Sequence, residues 1–358
     1  MADRVIAPLS FTLKKRPAIP RIARALAGFI ALASSCAAQT RAAEPAPDQP
    51  QMKSTAIEFV PGEKTIFFDD FSDMEADAPP PHWKVRGGKV ELRTGGGTQE
   101  LYAAKDVSLS TKIAIPQNFT FELQFVGNGE MDWKFQSAGD EVLSGIVRGE
   151  DDGHTVNISW SGKDGDLGAA EVKGIDTSKP VDFALWAQQG RVRAYVNRKR
   201  VLDVNQVQIP VIDEVAFDDA RYRPMAVRKV RIAESAPDFS AVIASTGKYV
   251  THGILFDTDS ARLKPESAAI LKQVAAALAK NPNLKLEIDG YTDSAGNDSH
   301  NLDLSKRRAQ AVQSVLVSQF GIDAGRLASD GFGAAKPIDS NDTPSGRANN
   351  RRVEFLKK

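Results

Sequence analysis

The 358-residue sequence has one cysteine, Cys36, and four histidines, His82, His154, His252 and His300. No spacing among them assembles the thiolate or imidazole cage of a zinc or haem site. Metal centres of that kind are excluded, and no cofactor is expected. An excess of charge of one sign is missing too, because Lys+Arg and Asp+Glu number 46 each. Proteins that bind nucleic acid gain most of their affinity by releasing phosphate counterions to a cationic surface; no nucleic-acid partner is expected here. An apolar run of the ~20 residues needed for a membrane-spanning helix is also absent.

A shorter run, ALAGFIALASSCAA at residues 25–38, follows Lys14, Lys15, Arg16, Arg21 and Arg24. A cationic flank before a short apolar stretch that ends in small residues is the pattern of an export signal. Residues 1–38 are therefore expected to be a signal peptide removed after Ala37 or Ala38, with a retained anchor as the alternative. Cys36 offers another outcome, a lipidated N-terminal cysteine, although Ala33 stands where the bacterial lipoprotein pattern usually has Leu. Cleavage beyond Cys36 would leave no disulfide, so stability would rest on core packing even in an oxidising compartment.

The length and the 42% apolar, 26% charged composition suit two globular domains. Residues 39–63, rich in Ala, Pro, Gln and Glu, read as a linker. From 64 to 235 the pattern is short alternating segments. Phe119, Phe121, Leu123 and Phe125 fall on one face of a strand, with Thr120, Glu122 and Gln124 on the other. Val181, Phe183, Leu185 and Ala187 repeat the period; a Gln189-Gly190 turn then leads to Val192, Ala194 and Val196. Strands at this spacing predict an all-β antiparallel sandwich. A lipid-embedded barrel is disfavoured, because Glu122, Gln124, Arg191 and Arg193 occupy outward positions. The opening FFDDFSD (67–73), Trp83 and the RVRAYVNRKRVLDV hairpin resemble concanavalin-A/laminin-G-like jelly-roll modules.

Residues 236–245 read as a second linker, and beyond them strand and helix periods alternate. YVTHGILFD predicts a strand; Pro265 opens a helix whose Ile270, Leu271, Val274, Ala275 and Leu278 recur at helical spacing until Asn281-Pro282. A further strand at LKLEID, a helix over about 301–320, and strands at RLASDGFG and RRVEFLKK complete an α/β domain, βαβαββ, with helices packed on one sheet.

Within that domain Leu304, Arg308, Val312 and Leu316 are spaced four apart, which puts Arg308 on the apolar stripe of its helix. A guanidinium there cannot shed its proton and needs a partner. Asp293 follows the carboxyl end of a strand, where α/β folds open their ligand crevices. Spacing alone leaves three readings: a salt bridge between the two, an Asx-type turn at Asp293, or a pair that faces a ligand.

The string YTDSAG…NLDLSKRRAQAVQSVL resembles the OmpA-like C-terminal domain family, with Thr292, Asp293, Gly296, Asn301, Leu304, Ser305, Arg308, Ala309, Val312 and Leu316 on motif positions. GILFDTDSARLKPES, SDGFGAAKPI and GRANNRRVEF match its other elements, and the resemblance covers 246–358. It implies non-covalent binding of peptidoglycan, with Asp293 and Arg308 receiving the zwitterionic end of the diaminopimelate side chain. Phe256, Asp257, Thr292, Asn301, Leu304 and Arg352 complete the implied site. Phe256 reads chiefly as core packing, and Asn301 as either a ligand contact or a cap of its own helix. Tyr291 stands where many members have His, which speaks against proton transfer there. With the leader, the resemblance implies a non-enzymatic envelope protein of the periplasm or outer membrane of a Gram-negative bacterium.

The sandwich's ligand is left open between carbohydrate and protein. One alternative is a glycan-acting enzyme, for which the acidic clusters Asp69-Asp70 and Glu150-Asp151-Asp152 lack the strand spacing of a hydrolase pair. Another is a calcium-dependent lectin with Asp151, Asp152, Asp164 and Asp166 as ligands from two hairpin tips.

Overall fold

The computed structural model describes residues 48–54, 58–76, 78–103, 106–219 and 225–358. The expected signal peptide, with Cys36, lies outside them. The first strands are β1 (Thr65–Asp69), β2 (Lys84–Gly87), β3 (Val90–Gly95), β4 (Thr98–Ala103) and β5 (Ser108–Ile115). Next come β6 (Phe119–Val126), β7 (Glu130–Ser137), β8 (Asp140–Gly149), β9 (Thr155–Gly162) and β10 (Gly165–Lys173). The last of this region are β11 (Val181–Gln188), β12 (Arg191–Val196), β13 (Lys199–Val204), β14 (Ile212–Asp219) and β15 (Ala226–Glu234).

They form two antiparallel sheets, one ordered β13-β12-β11-β6-β15-β4-β3 with β1 on β15, the other β10-β9-β8-β7-β14-β5-β2. The alternation in β6 explains how they meet. Phe119, Phe121, Leu123 and Phe125 are at most 1% exposed. Phe121 packs edge-on against Phe135 of the opposite sheet, ring centroids 5.4 Å apart, and Phe119 does so at 5.3 Å. Removing one such ring would cost about 3–5 kcal/mol. The Gln189-Gly190 turn has both φ angles positive, 51° and 74°, and so does Asn197-Arg198, at 44° and 67°. Both follow the twist of their hairpins.

The outward face of β6 is less open than its polar residues suggest. Arg191 and Arg193 do lie at the surface, sharing Asp203 at 2.6 and 3.3 Å. Glu122, however, is buried and accepts from Arg231 at 2.6 Å. The cover comes from residues expected to be linker: Gly62 donates to Thr120 Oγ1 at 3.0 Å, Arg231 donates to Gly62 O at 2.8 Å, and Phe59 packs on Tyr195 at 5.1 Å. Upstream, Met52 is fully buried, its N–H donates to Gln319 at 2.6 Å, and Gln49 donates to Ala261 O at 3.1 Å. The described part of 39–63 is thus packed chain and not a free tether. Two apolar anchors, Met52 and Phe59, are enough to dock it, and average composition conceals them.

The second linker is corrected likewise. Most of 236–245 belongs to α1 (Phe239–Thr246), capped by Asp238, which accepts from Ala241 N, and closed by left-handed Gly247. Phe239 and Ile243, one turn apart, bury its inner face. Then follow β16 (Lys248–Thr251), α2 (Ala268–Lys280), β17 (Leu286–Gly290), α3 (Asp298–Ser318), β18 (Leu327–Gly331), α4 (Pro344–Asn350) and β19 (Val353–Lys357). The expected βαβαββ order is present, with α1 added in front and α4 inserted before the last strand. The mixed sheet runs β16-β19-β17-β18, with only β17–β18 parallel. Leu271, Val274 and Leu278 of α2 and Val312 and Leu316 of α3 share one core with Ile288 and Phe355 of the sheet. The strand expected over YVTHGILFD stops at Thr251, whose hydroxyl accepts from Gly253 N at 3.0 Å and turns the chain.

The described residues all belong to one compact unit. Asn349 of α4 exchanges two bonds with the Thr65 backbone of β1, at 2.8 and 3.0 Å, and Tyr249 donates to Glu63 at 2.7 Å.

In FFDDFSD, Asp69 is fully buried and accepts from Phe71 N and Trp83 Nε1, each at 2.7 Å. Burial outweighs both bonds and pushes its carboxyl up to about 6. A folded-state value above the ~3.9 of an unfolded chain means a contribution to stability that is complete below about pH 4 and lost as pH rises through about 6. Asp69→Asn should remove that fall, so urea midpoints of variant and wild type measured across this range should diverge. Parallel curves would contradict the assignment.

Candidate functional site

The paired ends of β17 and β18 meet at Gly290 and Gly331, and α3 crosses directly over them. A Cβ on Gly290 would lie 2.4 Å from the Ser305 carbonyl, and one on Gly331 only 2.2 Å from the Lys306 nitrogen. Only glycine permits that approach. It seats the helix on the strand ends and fixes Arg308 one turn farther along, over the mouth of the sheet.

The loop after β17 is tied from several sides. Thr292 N donates to Gly333 O at 3.0 Å, and Thr292 Oγ1 to Asp293 O at 2.8 Å. Asn301 Nδ2 donates to the carbonyls of Ala295 at 2.9 Å and Asp293 at 3.4 Å. Asn301 is therefore not the cap of α3. That role belongs to Asn297, which accepts from Ser299 N and His300 N, while Asn301 is buried and clamps the loop that carries Asp293.

Asp293 and Arg308 do not pair with each other. Asp293 Oδ1 accepts from Ala295 N at 3.1 Å, and Oδ2 from Arg351 Nη1 at 2.6 Å. Arg308 donates from Nε to Ser260 O at 2.9 Å and from Nη2 to Asp257 O at 3.5 Å, and it stands 4.9 Å from the Phe256 ring centroid. None of these contacts carries a negative charge. Burial pulls its guanidinium down to about 10, against the attraction of Asp259 and Asp293, and Arg351 pushes the same way. Arg308 is still a cation at neutral pH, and among the described residues no carboxylate lies within ion-pairing distance of it.

The remaining expected site residues divide. Phe256 is half-buried, packs on the core and lies beneath Arg308. Asp257 offers its carbonyl to Arg308 while its carboxylate pairs with Arg262 at 3.1 Å. Thr292 and Leu304 are buried supports. Arg352 is consumed internally: it donates to Glu354 at 2.7 Å, to Lys336 O at 3.0 Å and to Asn350 O at 3.3 Å, and lies 3.7 Å over the Tyr291 ring. Its neighbour Arg351, absent from the expected set, is the one that meets Asp293. The signal was present, since Arg352 and Glu354 are two apart on an extended segment and share a face, which turns Arg351 the other way.

A cavity of about 200 Å³ opens at this point. Phe256, Tyr291, Arg308, Arg351 and Arg352 line it from the C-terminal domain, and Phe68, Glu122, Lys229 and Arg231 from the sandwich. Asp293 is not among its lining residues and joins it through Arg351.

The proposed calcium tips do not converge. Asp151 and Asp152 precede β9, whereas Asp164 and Asp166 follow it, which separates them by on the order of 25 Å of extended chain. Asp152 spends its oxygens locally, accepting from His154 N at 2.7 Å, Thr155 N at 2.9 Å and Thr155 Oγ1 at 2.7 Å. Among the described residues no three His, Cys, Asp or Glu side chains come together as a metal site, and no helix is long and apolar enough to cross a membrane.

The C-terminal α/β unit is an OmpA-like domain, residues 255–351 matching the OmpA family. More particularly, it is 46% identical over 104 residues to the probable lipoprotein YiaD of Escherichia coli K12, a match spanning 29% of this chain and 47% of that protein. It is 42% identical over 117 residues to the peptidoglycan-binding protein ArfA of Mycobacterium tuberculosis, spanning 33% of this chain and 34% of ArfA. The chain thus covers less than half the length of either relative. A solved structure of the peptidoglycan-associated lipoprotein from Burkholderia pseudomallei is 30% identical, with 29% of this chain and 88% of that one covered at a TM-score of 0.28.

The buried Arg352 and the half-buried Arg308 should respond differently to neutral replacement. Arg352→Met leaves the buried Glu354 with Lys248 alone, at 2.8 Å, and should cost up to about 3 kcal/mol, whereas Arg308→Met removes a cation that has no acid partner and should cost little or even stabilise. Urea unfolding of both variants checks this; a large loss for Arg308→Met would make Arg308 a structural residue.

Proposed function

We propose that this protein is a cell-envelope protein that holds peptidoglycan non-covalently, by binding and not by catalysis, through the site around Arg308 and Asp293. The observation that carries the reading is a desolvated guanidinium on an open cavity with no carboxylate of its own. A carboxylate ligand supplies that charge, and a planar fork takes it in two bonds. Asp293 has two of its roughly four lone-pair directions occupied, which leaves acceptor capacity for an ammonium. The free end of a diaminopimelate side chain carries both groups on one carbon. The peptidoglycan-binding relative supports the same ligand class, and the expected leader supports an envelope location, in the periplasm or at the outer membrane.

Two charge-assisted contacts contribute roughly 1.5–3 kcal/mol each, against on the order of 4 kcal/mol or more for immobilising a ligand. A single stem peptide then binds weakly, and durable attachment comes from the density of identical peptides in the wall. The sandwich is the module held there, with a carbohydrate or protein ligand of its own.

Co-sedimentation with purified diaminopimelate-type peptidoglycan should be lost in Asp293→Asn and Arg308→Ala, with circular dichroism unchanged. Arg308→Lys should not restore it, since a point charge replaces the fork. Lysine-type peptidoglycan, whose side chain lacks the terminal carboxylate, should not bind. Undiminished sedimentation of Arg308→Ala would defeat the proposal.

A further inference from the structure

The sandwich contributes to the same cavity. Lys229 and Arg231 are two apart on β15, so both side chains leave the outer face of the sheet towards the C-terminal domain, and both line the cavity that holds Arg308. Arg231 is fully engaged, by Glu122 at 2.6 Å, Gly62 O at 2.8 Å and Thr65 Oγ1 at 3.1 Å. Its bond to Glu122 also occupies the carboxylate nearest to Lys229 in sequence register, Arg231 lying opposite Glu122 and Lys229 opposite Gln124. Lys229 is half-buried, and its side chain has no hydrogen bond or ion pair among the described residues.

The cations of the cavity can therefore be sorted. Arg351 is answered by Asp293, Arg352 by Glu354 and Arg231 by Glu122. Arg308 and Lys229 remain, one from each domain, without an acid. Both line one partly desolvated space, and an occupant that brings a negative group to each gains a charge-assisted contact from each domain. One carboxylate satisfies Arg308 and leaves Lys229 alone, so the arrangement fits a ligand with two acid groups.

We infer that Lys229 is a specificity residue contributed by the sandwich, which takes a second carboxylate of the peptide whose diaminopimelate end occupies Arg308. This rests on the function proposed above. The second group is the free α-carboxylate of the γ-linked glutamate that precedes diaminopimelate. The sandwich thereby discriminates stem peptides by the amidation state of that glutamate, which the C-terminal domain alone does not read.

The test is titration calorimetry on the full chain with L-alanyl-γ-D-glutamyl-meso-diaminopimelate and with the same peptide amidated at the glutamate α-carboxyl. Lys229→Gln should weaken binding of the free acid about tenfold, the effect of one charge-assisted contact, and Lys229→Arg should restore it. The amidated peptide should bind wild type as weakly as the free acid binds Lys229→Gln, and should lose nothing further in that variant. Wild-type affinity of Lys229→Gln for the free acid, with Arg308→Ala inactive, would overturn the inference and spare the parent reading. Wild-type affinity of Arg308→Ala would overturn both. A Lys229→Gln penalty that persists with the amidated peptide would overturn the assignment to the glutamate carboxylate.

Discussion

A guanidinium withdrawn from water without an acid beside it is the constraint on which the site depends. Left to itself, so flexible a side chain would bend its head group back to solvent. Here its helix is held too tightly for compensating movement, because Gly290 and Gly331 let the backbone of α3 rest directly on two strand ends, while Val312 and Leu316 anchor the next turns in the core. Arg326 shows what a purely structural arginine does in this domain. It donates to three carbonyls, of Leu278, Asn281 and Leu284, at 2.8, 2.8 and 3.0 Å, at the carbonyl end of α2 where the helix dipole is negative. Arg308 has two carbonyls, one at the limit of bonding, and no helix terminus to face.

The second determinant is the seam between the domains. Residues 58–63 lie across the outer face of the sandwich, and Glu63 bonds the Tyr249 hydroxyl at 2.7 Å and His252 N at 3.0 Å. Arg198, in the β12–β13 turn, reaches Glu266 ahead of α2 at 3.2 Å. A buried carboxylate bonded as Glu63 is fixes orientation more than it adds stability. The result is a cavity with walls from two domains, whose shape depends on a stretch of chain with the composition of a linker.

Much of this was legible in the sequence wherever a period is repeated. Four alternating apolar residues in β6 and the helical stripes of α2 and α3 define their elements because each residue reinforces the same face. The position of Arg308 on a stripe was enough to mark it as anomalous. Single anchors were not legible: Met52, Phe59, Phe239 and Ile243 dock short segments that a window average assigns to linker. Asn301 illustrates a different loss. Its type suits a helix cap, but Asn297, four residues earlier, suits it as well, and only the path of the loop carbonyls decides between them. The calcium reading failed because turns adjacent in sequence lie at opposite ends of the strand that joins them.

The adjacent pair Arg351 and Arg352 shows how one sequence element serves two energetic roles. Arg352 and Glu354 are both buried, with side chains 2% and 3% exposed, and Lys248 holds the same carboxylate at 2.8 Å, so this pair is locked in place. Arg351 is 40% exposed where it meets Asp293, whose own side chain is 13% exposed, so the pair is open to water on the arginine side and is worth less than a fully buried one. A permanent partner of the first kind would quench Asp293. The second kind keeps the carboxylate oriented while its cation stays open to exchange. On the proposed reading, an incoming ammonium therefore displaces or shares Arg351 cheaply, while the acid group beside it gains the full value of meeting Arg308. Selectivity for a zwitterion then follows from asymmetry: the acceptor end is lightly occupied, and the donor end is left empty.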